Sequence, residues 1–272
     1  MLKLYHGKTS VCSAKVRVGL AELNLPWDGT ILDLGAGEQN EVWYLKLNHK
    51  GVVPTVVNGD VRVAESSVIL EYLSDIEGSG ALMPKDPASR AITRMYLSDC
   101  IDIHAAINTL TFATSKRQQI LQKKTAEQIS ASIERMASPA NALKRRDIID
   151  NGTASSHVTI AFFVLTSLFQ QMRHALSAGQ WMQGETFGLA DIALIAYVDR
   201  LDRLGLSSLW AEVPDISRWL ADCRARESYK TAIEAYAGPA DDDARAARAD
   251  GNWDMIEDLW QDYQLGHNGS GK

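Results

Sequence analysis

The hydrophobic pattern of this 272-residue chain passes once from mixed strand and helix periods to helix periods alone, and that change limits the fold more than any other feature. Over about the first eighty residues, apolar positions switch between the two-residue repeat of strands and the 3.6-residue repeat of helices. Leu2 and Leu4 in LKLYH mark a strand, and Val16, Leu20 and Leu23 in SAKVRVGLAELNL mark a helix. TILDL is a second strand, and TVV and VRVAE flank Asn58-Gly59-Asp60 as a β-hairpin would. Ser66 or Ser67 can cap a helix that places Val68, Ile69, Tyr72, Leu73 and Ile76 on one face. The order is β-α-β-β-β-α, with room for a further helix over 35–47.

The stretch EGSGALMPKDPAS then has the Gly/Pro/Ser composition of a linker. Beyond it the pattern is helical only, in RMYLSDCIDIHAAINTLTFA, HVTIAFFVLTSLFQQMRHAL, LADIALIAYVDRL and ISRWLADCRAR. Near the end, Trp253, Ile256, Trp260 and Tyr263 form one stripe, which predicts a helix docked on the body. The expected organisation is an α/β domain over 1–78, a linker over 79–89, an all-α domain over 90–265 and a frayed tail over 266–272.

With 46% apolar and 23% charged residues, a disordered, collagen-like or coiled-coil chain is excluded. A net charge of -6 repels polyphosphates, so no nucleic-acid partner is expected. Cys12, Cys100 and Cys223 are scattered and lack zinc-finger spacing, which predicts reduced thiols in the cytoplasm and no metal. The start MLKLYHGK lacks an apolar signal core and the run Ile160 to Phe169 contains Thr166 and Ser167, so no membrane segment is expected. Lys116-Arg117, Lys123-Lys124 and Lys144-Arg145-Arg146 make the middle segment locally basic; they would recruit an anionic partner or, as is expected here, lie on solvated helix faces.

Three segments carry chemistry. Pro54, just before the hairpin, cannot donate to a ladder, and a cis bond there would leave the Val53 backbone to pair with a peptide ligand. Glu65-Ser66-Ser67 lies where strand turns into helix, a place that favours a carboxylate. Thr9-Ser10-Val11-Cys12-Ser13 opens another helix, whose N-terminus can stabilise a thiolate.

Together, LYHGKTSVCSAKVR, NHKGVVPT, ESSVILEYL and FGLADIALIAYV resemble the glutathione transferase family. The resemblance covers most of the chain and implies a thioredoxin-like first domain (β-α-β-α-β-β-α), an all-helical second domain, and glutathione as co-substrate. Ser10 matches the serine that activates the glutathione thiolate, and also the nucleophilic cysteine of omega-like relatives. Ser13, one helical turn away, is the alternative hydroxyl. Val53 with Pro54 matches the backbone site for the cysteinyl unit, and Glu65 with Ser66 the γ-glutamyl site. Lys50, or less well His49, would reach the glycyl carboxylate. A hydroxyl bonded to the thiolate lowers a thiol pKa of about 8.5 toward neutrality.

The resemblance further implies an aromatic second substrate bound along the first helix of the helical domain, by Asp102, His104, Ala105, Asn108 and Phe112. His104 would orient it. Trp253 and Trp260 would either close this pocket or join the core. A dimer is implied, homomeric or heteromeric. The chain length, middle segment and aromatic tail are similar to bacterial β-etherases, which displace a phenol from a lignin-derived β-aryl ether with glutathione. SVCSAKVR resembles the segment of glutathione-dependent reductive dehalogenases, which implies thiol–disulfide or deglutathionylating chemistry at Cys12; otherwise Cys12 is a small buried hydrophobe. A non-catalytic glutathione-binding subunit is a third reading. Two departures from the family pattern are Gly188, where a capping Ser or Thr is common before Asp191, and Tyr5, which matches no catalytic tyrosine.

Overall fold

A computed structural model describes residues 1–237 and 251–268. The first domain is a four-stranded sheet in the order β2-β1-β3-β4, formed by β1 Leu2–Gly7, β2 Trp27–Leu32, β3 Thr55–Asn58 and β4 Val61–Ala64. β1 and β2 are parallel and the other pairs antiparallel, with Leu4 opposite both Gly29 and Val56. Helix α1 (Val11–Glu22) makes the crossover between β1 and β2, and α3 (Ser66–Glu77) follows β4. Leu2, Leu4 and Val56 form one core with Val16, Leu20, Ile69 and Leu73, the burial the alternation called for.

One local expectation is corrected and two are given their bounds. The second strand runs from Trp27 to Leu32, ahead of TILDL, because Asp33 turns the chain by accepting the Gly35 and Ala36 amides at 2.8 and 3.0 Å. Asn58 pairs with Val61, so Gly59 and Asp60 form the hairpin turn, with Gly59 at φ +59°. The 35–47 stretch holds a 3-10 turn and the four-residue helix α2, Val42–Leu45.

The second domain is helical. Helix α4 (Pro87–Ala113) starts ahead of Arg90, because Asp86 accepts the Ala88 and Ser89 amides and proline is suited to a first turn. It packs against α8 (Ser156–Ser177) and α9 (Leu189–Arg203). Every residue of α9 from Leu189 to Asp199 is buried. The Asp191 carboxylate accepts the amides of Met182 (2.9 Å) and Gly188 (3.0 Å) and the Trp219 indole N–H (2.8 Å). Burial nevertheless pushes its pKa up to about 6. Gly188 has a packing reason, since a Cβ there would lie 2.9 Å from the Leu82 carbonyl oxygen.

Between α4 and α8 the polar middle segment folds into α5 (Ser115–Lys123), α6 (Ala126–Glu134) and α7 (Pro139–Asn151). This insertion has a small core of its own, Ile129, Ile133 and Ile149, backed by Ile120 and Ala142. It also reaches the first domain: a Cβ on Gly51 would lie 3.0 Å from that of Ala137.

The expected C-terminal helix begins at Glu257, so Trp253 precedes it in a turn. Trp260 and Tyr263 pack on Phe162, ring centroids 5.1 and 5.8 Å away, and Trp253 is partly buried against the core; both indoles are packing residues. Residues 269–272 of the expected tail lie outside the described residues. Among the described residues no single helix is long and apolar enough to cross a membrane.

Replacing Asp191 with Ala strands three buried donors and is expected to cost about 3–5 kcal/mol. Urea unfolding checks this, and a loss below about 1 kcal/mol contradicts it.

Candidate functional site

The turn from β1 into α1 is held from two sides. The buried Arg17 donates to the Gly7, Lys8 and Ala232 carbonyls at 3.3, 3.2 and 2.8 Å, and Arg200 donates to the Thr9 carbonyl at 2.6 Å. Arg17 also stacks on Tyr236 at 3.8 Å and bonds the His6 ring, whose pKa burial and this cation push down to about 4. A turn whose Gly7, Lys8 and Thr9 carbonyls are all engaged keeps one geometry, which a binding site needs.

Ser10 caps α1, accepting the Ser13 amide at 3.3 Å, and is half-buried. Its own proton is left to donate. Ser13 is 0% exposed and accepts the Gly7 amide at 3.1 Å. It closes the turn from inside.

On the next segment the Val53–Pro54 bond is cis, and the β-ladder starts at Thr55, leaving Val53 ahead of it. Tyr44 and Asn48 fix the segment by donating to the Val52 carbonyl at 2.7 and 2.8 Å. Glu65 precedes α3 at φ +67°, a strained conformation for a non-glycine residue and one that clusters at ligand sites. Its carboxylate is 2.6 Å from the Lys50 ammonium, so the two expected anchors hold each other. His49 is exposed. Tyr5 packs against Trp43 and Tyr44, off the site.

Between the domains lies a cavity of about 330 Å³ walled by Cys12, Glu65, Ser66, Cys100, His104 and Tyr197, among others. Ser10, Lys50, Val53 and Pro54 are not part of its wall. The Cys12 sulfur is 3.5 Å from the Tyr197 hydroxyl and shares the cavity wall with His104. Burial pushes the Cys12 thiol up, but His104, the Lys15 ammonium and Tyr197 outweigh it and bring it down to about 7. Burial lowers the proton affinity of His104 and the Cys12 thiolate more than restores it, so the imidazole pKa is raised. Tyr197 is driven well above its usual value, by burial first and then by Cys12.

Lys15 is fully buried, donating to Ser67 Oγ at 2.8 Å and lying 5.5 Å from the centre of the Tyr197 ring. Sequence reasoning missed both residues. A lysine inside the apolar run SAKVRVGL was the available signal for Lys15; Tyr197, buried within an apolar helix, offered none.

The expected second-substrate set divides. His104 reaches the cavity, and Asp102 is exposed. The other three are met by α7: Lys144 donates to the Ala105 carbonyl at 3.1 Å, and Arg145 donates to Asn108 Oδ1 at 3.1 Å and lies 3.2 Å over the Phe112 ring. Lys144, Arg145 and Arg146 are therefore half-buried and bonded, which corrects the expectation of a solvated face.

A family model for the glutathione S-transferase N-terminal domain matches residues 9–76, and one for the C-terminal domain matches 158–227, together about half of the chain. Protein LigF of a Sphingobium species is 28% identical over 86% of this chain and 93% of its own length. The tetrachloro-p-hydroquinone reductive dehalogenase of Sphingobium chlorophenolicum is 24% identical over 85% and 95%. The crystal structure of β-etherase LigF superposes with a TM-score of 0.76 at 27% identity, covering 86% of this chain and 99% of that one. A Populus trichocarpa glutathione transferase, at 20% identity and a TM-score of 0.65 over 87% and 99%, shares the fold.

The Cys12 environment predicts that alkylation by iodoacetamide rises with pH to half its maximum near pH 7. His104→Gln should move that midpoint upward by about one unit or more, since it removes the leading group that lowers it. A wild-type midpoint near 9 contradicts the assignment.

Proposed function

The chain belongs to the glutathione S-transferase family, and we propose that its reaction is attack of the glutathione thiolate on an aromatic electrophile, with cleavage of a β-aryl ether as the specific case. The observation that carries this reading is the meeting of two helix N-termini: Cys12 in the first turn of α1 and Glu65 with Ser66 at the start of α3 line one cavity. Free N–H groups and positive dipole ends there favour the carboxylate and thiolate of glutathione. The likeness to β-etherase LigF supports the ether as substrate.

In this reading Glu65 turns from Lys50 to the γ-glutamyl ammonium, and Ser66 with the α3 amides takes the γ-glutamyl carboxylate. Val53, ahead of the ladder, pairs with the cysteinyl backbone. Ser10, already accepting a bond from Ser13, donates its proton to the sulfur. The thiolate displaces the aryloxide at carbon: a C–S bond forms, the C–O bond breaks, and the phenolate leaves with the electron pair. His104, which lines the cavity, is placed to give it a proton. Asn108 is engaged by Arg145 and is a weaker donor candidate. The enzyme is read as a cytoplasmic homodimer, needing no metal.

A second reading rests on Cys12 itself, whose place beside His104 and Tyr197 in the cavity suits a nucleophile. Its thiolate would attack the sulfur of a glutathionylated aromatic, forming a Cys12–glutathione disulfide while the aromatic carbon takes a proton. A second glutathione then restores Cys12 and leaves as oxidised glutathione. The similarity to the reductive dehalogenase supports this chemistry.

A mass-resolved assay with glutathione and a β-aryl ether separates the two. A thioether plus free phenol is expected, reduced about a hundredfold in Ser10→Ala and nearly unchanged in Cys12→Ala. Oxidised glutathione or a Cys12 mixed disulfide, lost in Cys12→Ala, would transfer the assignment to the second reading.

A further inference from the structure

The insertion α5–α7 lies against the face of α4 expected to take the second substrate, and it brings cations there. Lys144 and Arg145 are both half-buried on α7. Their contacts are neutral: the Ala105 carbonyl for Lys144, Asn108 Oδ1 and the Phe112 ring for Arg145. The acid nearest them on α7, Asp147, is engaged by Asn151 and Ser155 at 2.7 and 2.5 Å. Asp102 on α4 acts on Lys144 from a distance. Burial depresses the proton affinity of both cations, Arg145 to about 10, and among the described residues neither has a close counter-charge to restore it.

Two partly desolvated cations over a neutral surface are costly for an isolated fold and gain most when an anion arrives. Their position is also specific. Ala105 directly follows His104, which walls the cavity, and the Lys144 charge is felt by the His104 ring. Phe112 lies under the Arg145 guanidinium, so an aromatic ring and a cation are offered side by side. Ala137 at the entry to α7 touches Gly51, next to Lys50, so the insertion spans the cleft from one domain to the other.

We propose that Lys144 and Arg145 form an acid-binding wall of the second-substrate site, selecting aromatic substrates that carry a carboxylate. The proposal rests on the glutathione-site reading above, because it places the aromatic group next to a glutathione sulfur. The carboxylate replaces the neutral acceptors of the two cations while its ring extends along α4 toward His104.

The test is calorimetric binding of two glutathione thioethers, S-benzylglutathione and its para-carboxybenzyl analogue, to the full chain. The carboxylated probe should bind about tenfold more tightly, the size of one charge-assisted hydrogen bond. Lys144→Met and Arg145→Met should each remove most of that advantage while changing affinity for the neutral probe less than about twofold. Added salt should shrink the ratio in the wild-type protein, a readout that needs no variant. Equal affinity for the two probes overturns the proposal and leaves the glutathione reading standing. Equal loss of both probes in the variants also overturns it, since the cations would then be holding glutathione's own carboxylates or the fold. Binding of neither probe to the wild-type protein overturns the glutathione reading, and the proposal with it.

Discussion

Burial of α1 between the sheet and α9 is the constraint on which the rest of the site depends. The helix is enclosed on both sides, yet two of its buried residues are Lys15 and Arg17, at 0% and 2% exposure. Charges in such a place persist only with dense hydrogen bonding or aromatic contact. Arg17 meets the demand with three backbone carbonyls and the Tyr236 ring, and in doing so fixes the turn that presents Ser10. Lys15 meets it with Ser67 and the Tyr197 ring, and in doing so puts a positive charge beside Cys12. The requirement that buries two cations also builds the thiol environment.

The interface between the domains follows from the same packing. α9 must be apolar to cover α1, and its one carboxylate near the start, Asp191, is satisfied by three N–H donors. Gly188 lets the chain come within reach of Leu82, whose carbonyl accepts the Leu189 amide at 2.9 Å. The departure from a capping Ser or Thr thus reflects close approach to the linker. The same rigid interface carries Tyr197 to the cavity from one domain and Glu65 from the other.

Much of this was legible in the sequence, for physical reasons that can be named. Period changes, the Asn58-Gly59-Asp60 turn and the proline at 54 are local signals, and local chemistry decided them. The presence of α3 was equally plain, but its cap was not: Glu65, rather than Ser66 or Ser67, is the N-cap, on a strained backbone. What remained hidden depends on distant pairings. Ser13 and Ser10 look alike in sequence, and only the Gly7 amide separates them. Lys50 and Glu65, which the resemblance places at opposite ends of a ligand, meet directly. The basic run on α7 has the composition of a solvated face, and its contacts with α4 arise from an insertion whose small core no periodicity revealed.

The central claim is that this fold lowers the pKa of a thiol it binds. The most direct measurement is the ultraviolet absorbance of the glutathione thiolate as a function of pH, on the complex of glutathione with a Cys12→Ala chain so that the protein's own thiolate does not contribute. The account predicts that bound glutathione titrates at least about one unit below its free value, and that Ser10→Ala in the same background returns it toward that value. A bound thiol that titrates as it does free in solution would contradict the account.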